Sequence, residues 1–203
     1  MNNFKKNLEL LTKNHVYSKE MEHDSCGVGV IASTEGKKSR EIVEYGIQAL
    51  KAVWHRGAVD ADGKTGDGAG IHVEIPKDFF IEKIEVTGHD YDNSEICIGM
   101  IFLPRNDYSA QESCKTIVES ELTKNNFSIY GWRQVPVNLK VLGEKALQTM
   151  PEIIQVLFKS NDKNLLDKQL ERKIYETRKK IENRAFDASL NNFYICSISS
   201  KSI

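Results

Sequence analysis

Long apolar runs are missing from this 203-residue chain: the longest, Ile96 to Leu103, falls far short of the ~20 residues a membrane helix needs. Charge of one sign is missing too. The 28 Lys and Arg and 29 Asp and Glu leave a formal net charge of −1, so no basic field is offered to nucleic acid or to an anionic membrane. The N-terminus develops no apolar stretch followed by a small-residue cleavage site, which argues against secretion and for the cytoplasm. There are only four cysteines, with no Cys-x-x-Cys pair and no zinc-finger spacing. The five histidines form no metal spacing and no His-Glu-x-x-His. No metal site is therefore expected. Each of Cys97, Cys114 and Cys196 sits in an apolar pattern and reads as a buried, reduced thiol.

What is present reads as a mixed chain of strands and helices. Residues 1–25 are polar, a leader with weak structure of its own. Residues 26–32 are apolar and β-branched and predict a buried strand. Val43, Ile47, Leu50 and Trp54 fall at helical spacing over 40–54. Glycines crowd 57–70, and Ile71 to Ile75 alternates as a strand. Residues 76–95 read as irregular, and 96–103 as a buried strand. Ser109-Ala-Gln-Glu112 predicts a capping box opening a helix with Cys114, Ile117, Val118 and Leu122 on one face. Strands are expected over 127–132, 152–158 and 192–200. A helix over 162–185 should carry Leu166, Leu170, Ile174 and Ile181 on one face. The order lacks the strict strand–helix alternation of a doubly wound parallel sheet.

Two tempting motifs fail. Gly27-Val-Gly-Val-Ile-Ala32 matches a dinucleotide fingerprint in letters, but it is itself the predicted strand and follows a polar leader. Gly63-Lys-Thr65 resembles the end of a phosphate-binding loop, yet the required earlier glycine is Ala58 and more glycines follow where a helix should start. A multi-glycine turn is the better reading, with Asp60, Asp62 and Asp67 as turn caps and Lys64 unassigned.

Cys26 differs from the other thiols. It stands directly between a polar leader and an apolar run. As translated, its neighbours Glu22 and Asp24 oppose thiolate formation, and His23 is the only nearby base. Cleavage between Ser25 and Cys26 would change this. The new α-amine, with a reference pKa of ~7.7–8.0, could take the thiol proton and later donate one to a leaving ammonia. One residue would then supply both nucleophile and base. A protease-like dyad would instead need a partner histidine, for which only His55 and His72 offer themselves.

His23-Asp-Ser-Cys-Gly-Val-Gly-Val-Ile-Ala32 and Trp54-His-Arg-Gly-Ala-Val-Asp-Ala-Asp-Gly-Lys-Thr-Gly-Asp-Gly-Ala-Gly-Ile71 resemble the class II glutamine amidotransferase domain of glutamate synthase large subunits. Tyr130-Gly-Trp-Arg-Gln-Val-Pro-Val137 and Asn192-Phe-Tyr-Ile-Cys-Ser-Ile-Ser-Ser200 resemble it as well. The resemblance implies an α+β fold, the four-layer αββα sandwich of N-terminal nucleophile hydrolases, incomplete at the C-terminal end. It implies a pro-segment, residues 1–25, removed to expose Cys26, followed by the amidotransferase domain from 26 to 203. It implies glutamine hydrolysis through a cysteine thioester, with ammonia passed to a synthase domain that aminates 2-oxoglutarate.

That synthase region is expected to hold FMN and an iron–sulfur cluster, with no cofactor in this segment. The remainder of the synthase chain and a small electron-donating subunit are the partners implied. Arg56 matches the family's arginine and is expected to help fix the N-terminal cysteine with its fork of donors. The family's Asn-Gly pair, which supplies oxyanion-hole donors, lies beyond the matched stretch, and no Asn-Gly occurs here. The 203 residues are therefore expected to be part of a larger amidotransferase and inactive alone. The rival expectation is an inactive truncated paralogue acting only as a binding or regulatory module.

Overall fold

The computed structural model describes residues 27–53, 59–66 and 68–203. The leader, Cys26, Trp54, His55, Arg56 and Asp67 lie outside the described residues. The chain forms two compact units, Met1–Gly57 and Ala58–Ile203.

The first unit contributes helix α1, Arg40–Ala52. Ser39 caps it, its side chain accepting from the Ile42 amide at 3.3 Å. Glu41 in the first turn and Lys51 in the last match the helix dipole. Val43, Ile47 and Leu50 make the expected stripe, half-buried. The predicted strand at 26–32 is corrected: residues 27–32 carry no ladder among the described residues and are exposed, Val28 at 88%. The β-branched composition is that of a strand, but a strand exists only where a neighbour takes up its backbone hydrogen bonds.

The second unit follows the order α2 (Lys77–Val86), β1 (Cys97–Leu103), α3 (Tyr108–Lys124), β2 (Phe127–Gln134), α4 (Glu144–Thr149), β3 (Glu152–Ser160), α5 (Asp167–Asp187) and β4 (Tyr194–Ser199). The α+β expectation is met. One four-stranded antiparallel sheet runs β2-β3-β1-β4, with β1 paired to β3 from Cys97↔Phe158 to Leu103↔Glu152.

The sheet has two different faces. On one, α3 and α5 lay Cys114, Ile117, Val118, Leu122, Leu170, Ile174 and Ile181 onto Cys97, Ile101, Val156, Phe158 and Ile195. Each such large side chain fully buried stabilises by roughly 1.5–3 kcal/mol, so this seam dominates the fold's hydrophobic term. On the other, Phe80 and Ile84 of α2 meet Ile98, Tyr130 and Leu157.

Several boundaries move. Residues 76–95 are not irregular: α2 occupies 77–86, because Phe80 and Ile84 at i,i+4 make one buried stripe within a charged sequence. The cap of α3 is Asp107, which accepts from the Ala110 amide at 2.9 Å, not the Ser109 box. Leu166 is 71% exposed and stands at the N-cap of α5 rather than on its buried face. The predicted strand 71–75 shrinks to a bridge between Glu74 and Ser202, flanked by reciprocal Val73–Ile203 backbone bonds of 2.9 and 2.8 Å. Glu171 of α5 holds the end of β4, accepting from the Ser200 amide and hydroxyl, both at 2.7 Å.

Candidate functional site

Around the sequence-predicted residues Cys26 and Arg56, the described chain begins at Gly27 and resumes at Val59. A Cβ built on Gly27 would stand 3.3 Å from the Val53 Cβ, so the start of the Gly-Val-Gly run lies close against the end of α1.

Downstream of Arg56, residues 59–66 form a closed hairpin. Val59 bridges Gly66, the Asp60 amide donates to the Thr65 carbonyl at 2.7 Å, and the Gly63 amide to the Asp60 carbonyl at 2.9 Å. Gly63 turns the tip at φ +68°, a conformation glycine adopts without strain. Asp62 is the hub. Its carboxylate accepts from the Thr65 amide at 2.7 Å, the Thr65 hydroxyl at 2.5 Å and the Lys64 amide at 2.9 Å. It also accepts from the Glu144 amide at 2.9 Å, 82 residues away. These donors, Thr65 foremost, hold its carboxyl well below the usual carboxylate range. Asp60 caps the Ala61 amide at 2.6 Å and pairs with Lys145 at 2.6 Å.

The turn-cap reading of Asp60 and Asp62 therefore holds, but it missed that both reach α4. Nothing in the local sequence signals that partner; only the isolated Gly143 ahead of Glu144 hints at a close approach. A phosphate-loop reading of 63–65 is not supported, because the residues after it form a β bridge and a coil, not a helix.

The other candidate thiols separate by burial. Cys97 and Cys114 are buried, as expected. Burial pushes the Cys97 thiol up, with nearby Glu171 and Glu95 adding to it, and burial pushes Cys114 up to about 11. Neither suits nucleophilic work. Cys196 corrects the expectation: it is exposed on the edge strand β4, beside buried Ile195, because strand alternation turns it outward.

A polar cluster on the sheet joins Asp92, Tyr130 and Lys159. The Tyr130 hydroxyl donates to Asp92 Oδ1 at 3.0 Å and Lys159 Nζ to Asp92 Oδ2 at 2.5 Å. Burial and the Asp92 carboxylate push the Tyr130 hydroxyl up, so it stays a proton donor. His89 stands over the Tyr130 ring edge-on, and His72 is exposed. A groove of about 480 Å³ at the end of α5 and β4 is lined by Phe186, Leu190, Phe193 and Tyr194 with Arg178 and Glu182, with no cysteine, serine or threonine among its lining residues. Among the described residues, no group of three or more His, Cys, Asp or Glu could hold a metal ion. No described helix is long and apolar enough to cross a membrane.

Residues 26–203 match the family of class-II glutamine amidotransferases. The chain is 51% identical over 200 residues to the glutamate synthase [NADPH] large chain of Azospirillum brasilense, covering 98% of this chain and 13% of that protein. It is 38% identical over 184 residues to ferredoxin-dependent glutamate synthase 1 of Arabidopsis thaliana, 90% of this chain and 11% of that one. It is 38% identical over 195 residues to the ferredoxin-dependent glutamate synthase of Pyropia yezoensis, 94% and 12%. The chain thus spans 11–13% of the length of these relatives.

Proposed function

The chain belongs to the class-II glutamine amidotransferases, and we propose that it is the glutamine-hydrolysing segment of a glutamate synthase, with Cys26 as the nucleophile. The observation that carries this is the family match itself: it opens at Cys26 and runs to residue 203, leaving residues 1–25 outside as the proposed pro-segment. The identity of 51% to a glutamate synthase large chain over nearly the whole sequence supports the parent enzyme.

In this reading, removal of the leader frees the Cys26 α-amine. The amine, directly or through a water, accepts the thiol proton while the sulfur attacks the carbonyl carbon of the glutamine side-chain amide. The tetrahedral adduct collapses to a thioester as the amine's proton passes to the departing nitrogen, releasing ammonia. Water then attacks the thioester, glutamate leaves, and the thiol regains its proton. Arg56 contributes a fork of donors that fixes the N-terminal residue. Ammonia goes on to a synthase region that aminates 2-oxoglutarate.

FMN and an iron–sulfur cluster belong to that region. Glutamine, the remaining synthase chain and a small electron-donating subunit are the partners, and the cytoplasm is the location.

The test uses the complete synthase chain. Cys26→Ala should abolish glutamine-dependent glutamate formation while ammonia-dependent formation continues. An electrophilic glutamine analogue should label Cys26 and leave Cys97, Cys114 and Cys196 untouched. Glutamine use that survives the substitution would refute the assignment.

A further inference from the structure

The register of the sheet arranges its α2 side in rows. Gly131, Leu157, Ile98 and Ser199 stand side by side across the four strands, and Ile98 and Leu157 of this row pack against Phe80 and Ile84 of α2. The next row is Arg133, Gln155, Met100 and Ser197, and beyond it Phe102 lies between Ile153 and Tyr194. Met100, Phe102 and Ile153 are half-buried, and Tyr194 is exposed. Arg133 therefore stands at the margin between the part of this face that α2 covers and the part left open among the described residues.

Its surroundings do not match its charge. The guanidinium is half-buried, donates to Gln155 Oε1 at 2.7 Å and lies over the Phe79 ring, 5.1 Å from the centroid. Lys83 Nζ stands over the same ring at 5.1 Å and adds positive charge. Gln155 is buried and neutral. Arg40, Arg172, Arg178 and Arg184 each pair with a glutamate. Arg133 makes no ion pair among the described residues; its contacts there are the Gln155 amide and the Phe79 ring. A planar fork drawn partly out of water, with one amide acceptor, keeps most of its donors unused, and a carboxylate is the group that fits them two at a time. The apolar row beside it needs a cover. One layer meets both needs if it sets an acidic side chain among apolar ones.

We propose that the polypeptide layer covering this face brings an aspartate or glutamate onto Arg133, and that this layer comes from the part of the synthase chain outside residues 1–203. This rests on the reading of the chain as a synthase segment; the Azospirillum brasilense relative is long enough that this chain covers 13% of it. A four-layer sandwich already implies a cover here. What Arg133 adds is the cover's chemistry and its register: a layer lacking the acid, or slipped along the row, would bury an uncompensated guanidinium, which is far worse than leaving it in water.

The experiment takes the complete synthase chain with Arg133→Lys, which keeps the charge and supplies an amine. A water-soluble carbodiimide joins such an amine to a carboxylate in contact with it, and peptide mapping by mass spectrometry locates the bond. The expected product is an amide between position 133 and one Asp or Glu outside residues 1–203. It should be at least about tenfold more abundant than any link from position 133 to an acid within 1–203, because fixed contact sets the coupling rate. The second arm leaves Arg133 in place and puts a photoreactive benzophenone side chain at Phe79, which is 38% exposed and tolerates the change. Illumination should attach it to a peptide outside residues 1–203 that contains the same acid.

No link at position 133, or links only to acids within residues 1–203, would overturn the proposal. If the Arg133→Lys chain fails to fold, shown by loss of ammonia-dependent synthesis, the Phe79 arm decides: attachment only within residues 1–203, or to a peptide without Asp or Glu, overturns it. Cys26→Ala is run alongside. Glutamine turnover that survives there defeats the nucleophile assignment, while the links at positions 133 and 79 report the cover independently.

Discussion

Replacing Gly99 with alanine in the middle of β1 tests whether the sheet is packed as tightly as described. Gly99 lies directly across from Val156 of β3 and Ile198 of β4. A Cβ there would stand 2.7 Å from Val156 Cγ1, well inside the 3.4–4 Å of ordinary contact, and 3.5 Å from Ile198 Cδ1. Val156 is fully buried and β-branched, so its χ1 is stiff and it cannot swing away. Two effects compete. Alanine lowers the chain entropy of the unfolded state, favouring the fold by about 0.4–1 kcal/mol. Overpacking costs about 1–3 kcal/mol. The clash wins at this distance, leaving a net loss of about 1–2 kcal/mol.

Val156→Ala alone deletes two buried methyl carbons and should cost about 1–3 kcal/mol. In the double variant, the new methyl enters space that Val156 vacated. Its loss should therefore fall short of the sum of the singles by about 1 kcal/mol or more. Urea unfolding followed by circular dichroism, with all four proteins under one buffer, measures the cycle. Additivity within about 0.5 kcal/mol would refute the packing of β1 between β3 and β4 at this point.

Other outcomes follow from the same reasoning. Mass spectrometry of the mature, active synthase should find Cys26 at its N-terminus, and an intact Met1 terminus in active enzyme would contradict the mechanism. Among Cys97, Cys114 and Cys196, iodoacetamide should modify exposed Cys196 first, since burial both shields the other two thiols and pushes them up. Lys159, Ser94 and Tyr130 hold Asp92 below its ordinary value of 3.8. Its contribution to stability is therefore present above that pH and lost as the pH falls below it toward the depressed folded value. Asp92→Asn should make the urea midpoint drop less between pH 7 and pH 3, and an identical drop would reject the assignment.

How much of this was legible depends on whether a residue's reason is local. The stripes Cys114–Ile117–Val118–Leu122 and Leu170–Ile174–Ile181 are set by 3.6-residue periodicity, and they lie where the spacing predicted. β1 and β3 were readable because uninterrupted apolar runs need cover on both faces. The misses have particular causes. Charges between Phe80 and Ile84 hide a two-residue stripe, so residues 76–95 read as irregular in sequence. Asp107 outcompeted the Ser109 box because its carboxylate reaches the Ala110 amide. The strand expected over 26–32 rests on composition, but pairing is a property of two segments, and composition reports only one. At the site, motif letters point to Cys26 and Arg56, which lie outside the described residues, and turn chemistry locates Asp60 and Asp62. The Gly143–Glu144–Lys145 partner was illegible, because 82 residues separate the Asp62 carboxylate from the Glu144 amide it accepts from.

The two faces of the sheet then bear on the architecture. Toward α3 and α5 the apolar seam is closed and tied at its margins: Arg184 donates to Glu121 at 2.6 Å, and Arg178 donates to the Ile195 carbonyl at 2.7 Å. The Glu121 carboxyl feels opposing effects, burial raising it and the hydrogen bonds from Arg184 and Lys124 lowering it, and the cations prevail. That balance is what a helix layer packed against a sheet requires where a carboxylate sits at the seam. Among the described residues of this unit, the opposite face is covered only in part. Ile98, Leu157 and Tyr130 lie beneath α2, but Met100, Phe102 and Ile153 on the same face are half-buried and Tyr194 is exposed. Such a row of apolar side chains on one sheet is stable in water only when another layer covers it. In a four-layer sandwich, one face of each sheet carries helices and the other meets the second sheet. The described sheet has this asymmetry: one face is sealed by long helices, and the other keeps a half-open apolar row beside a single short helix.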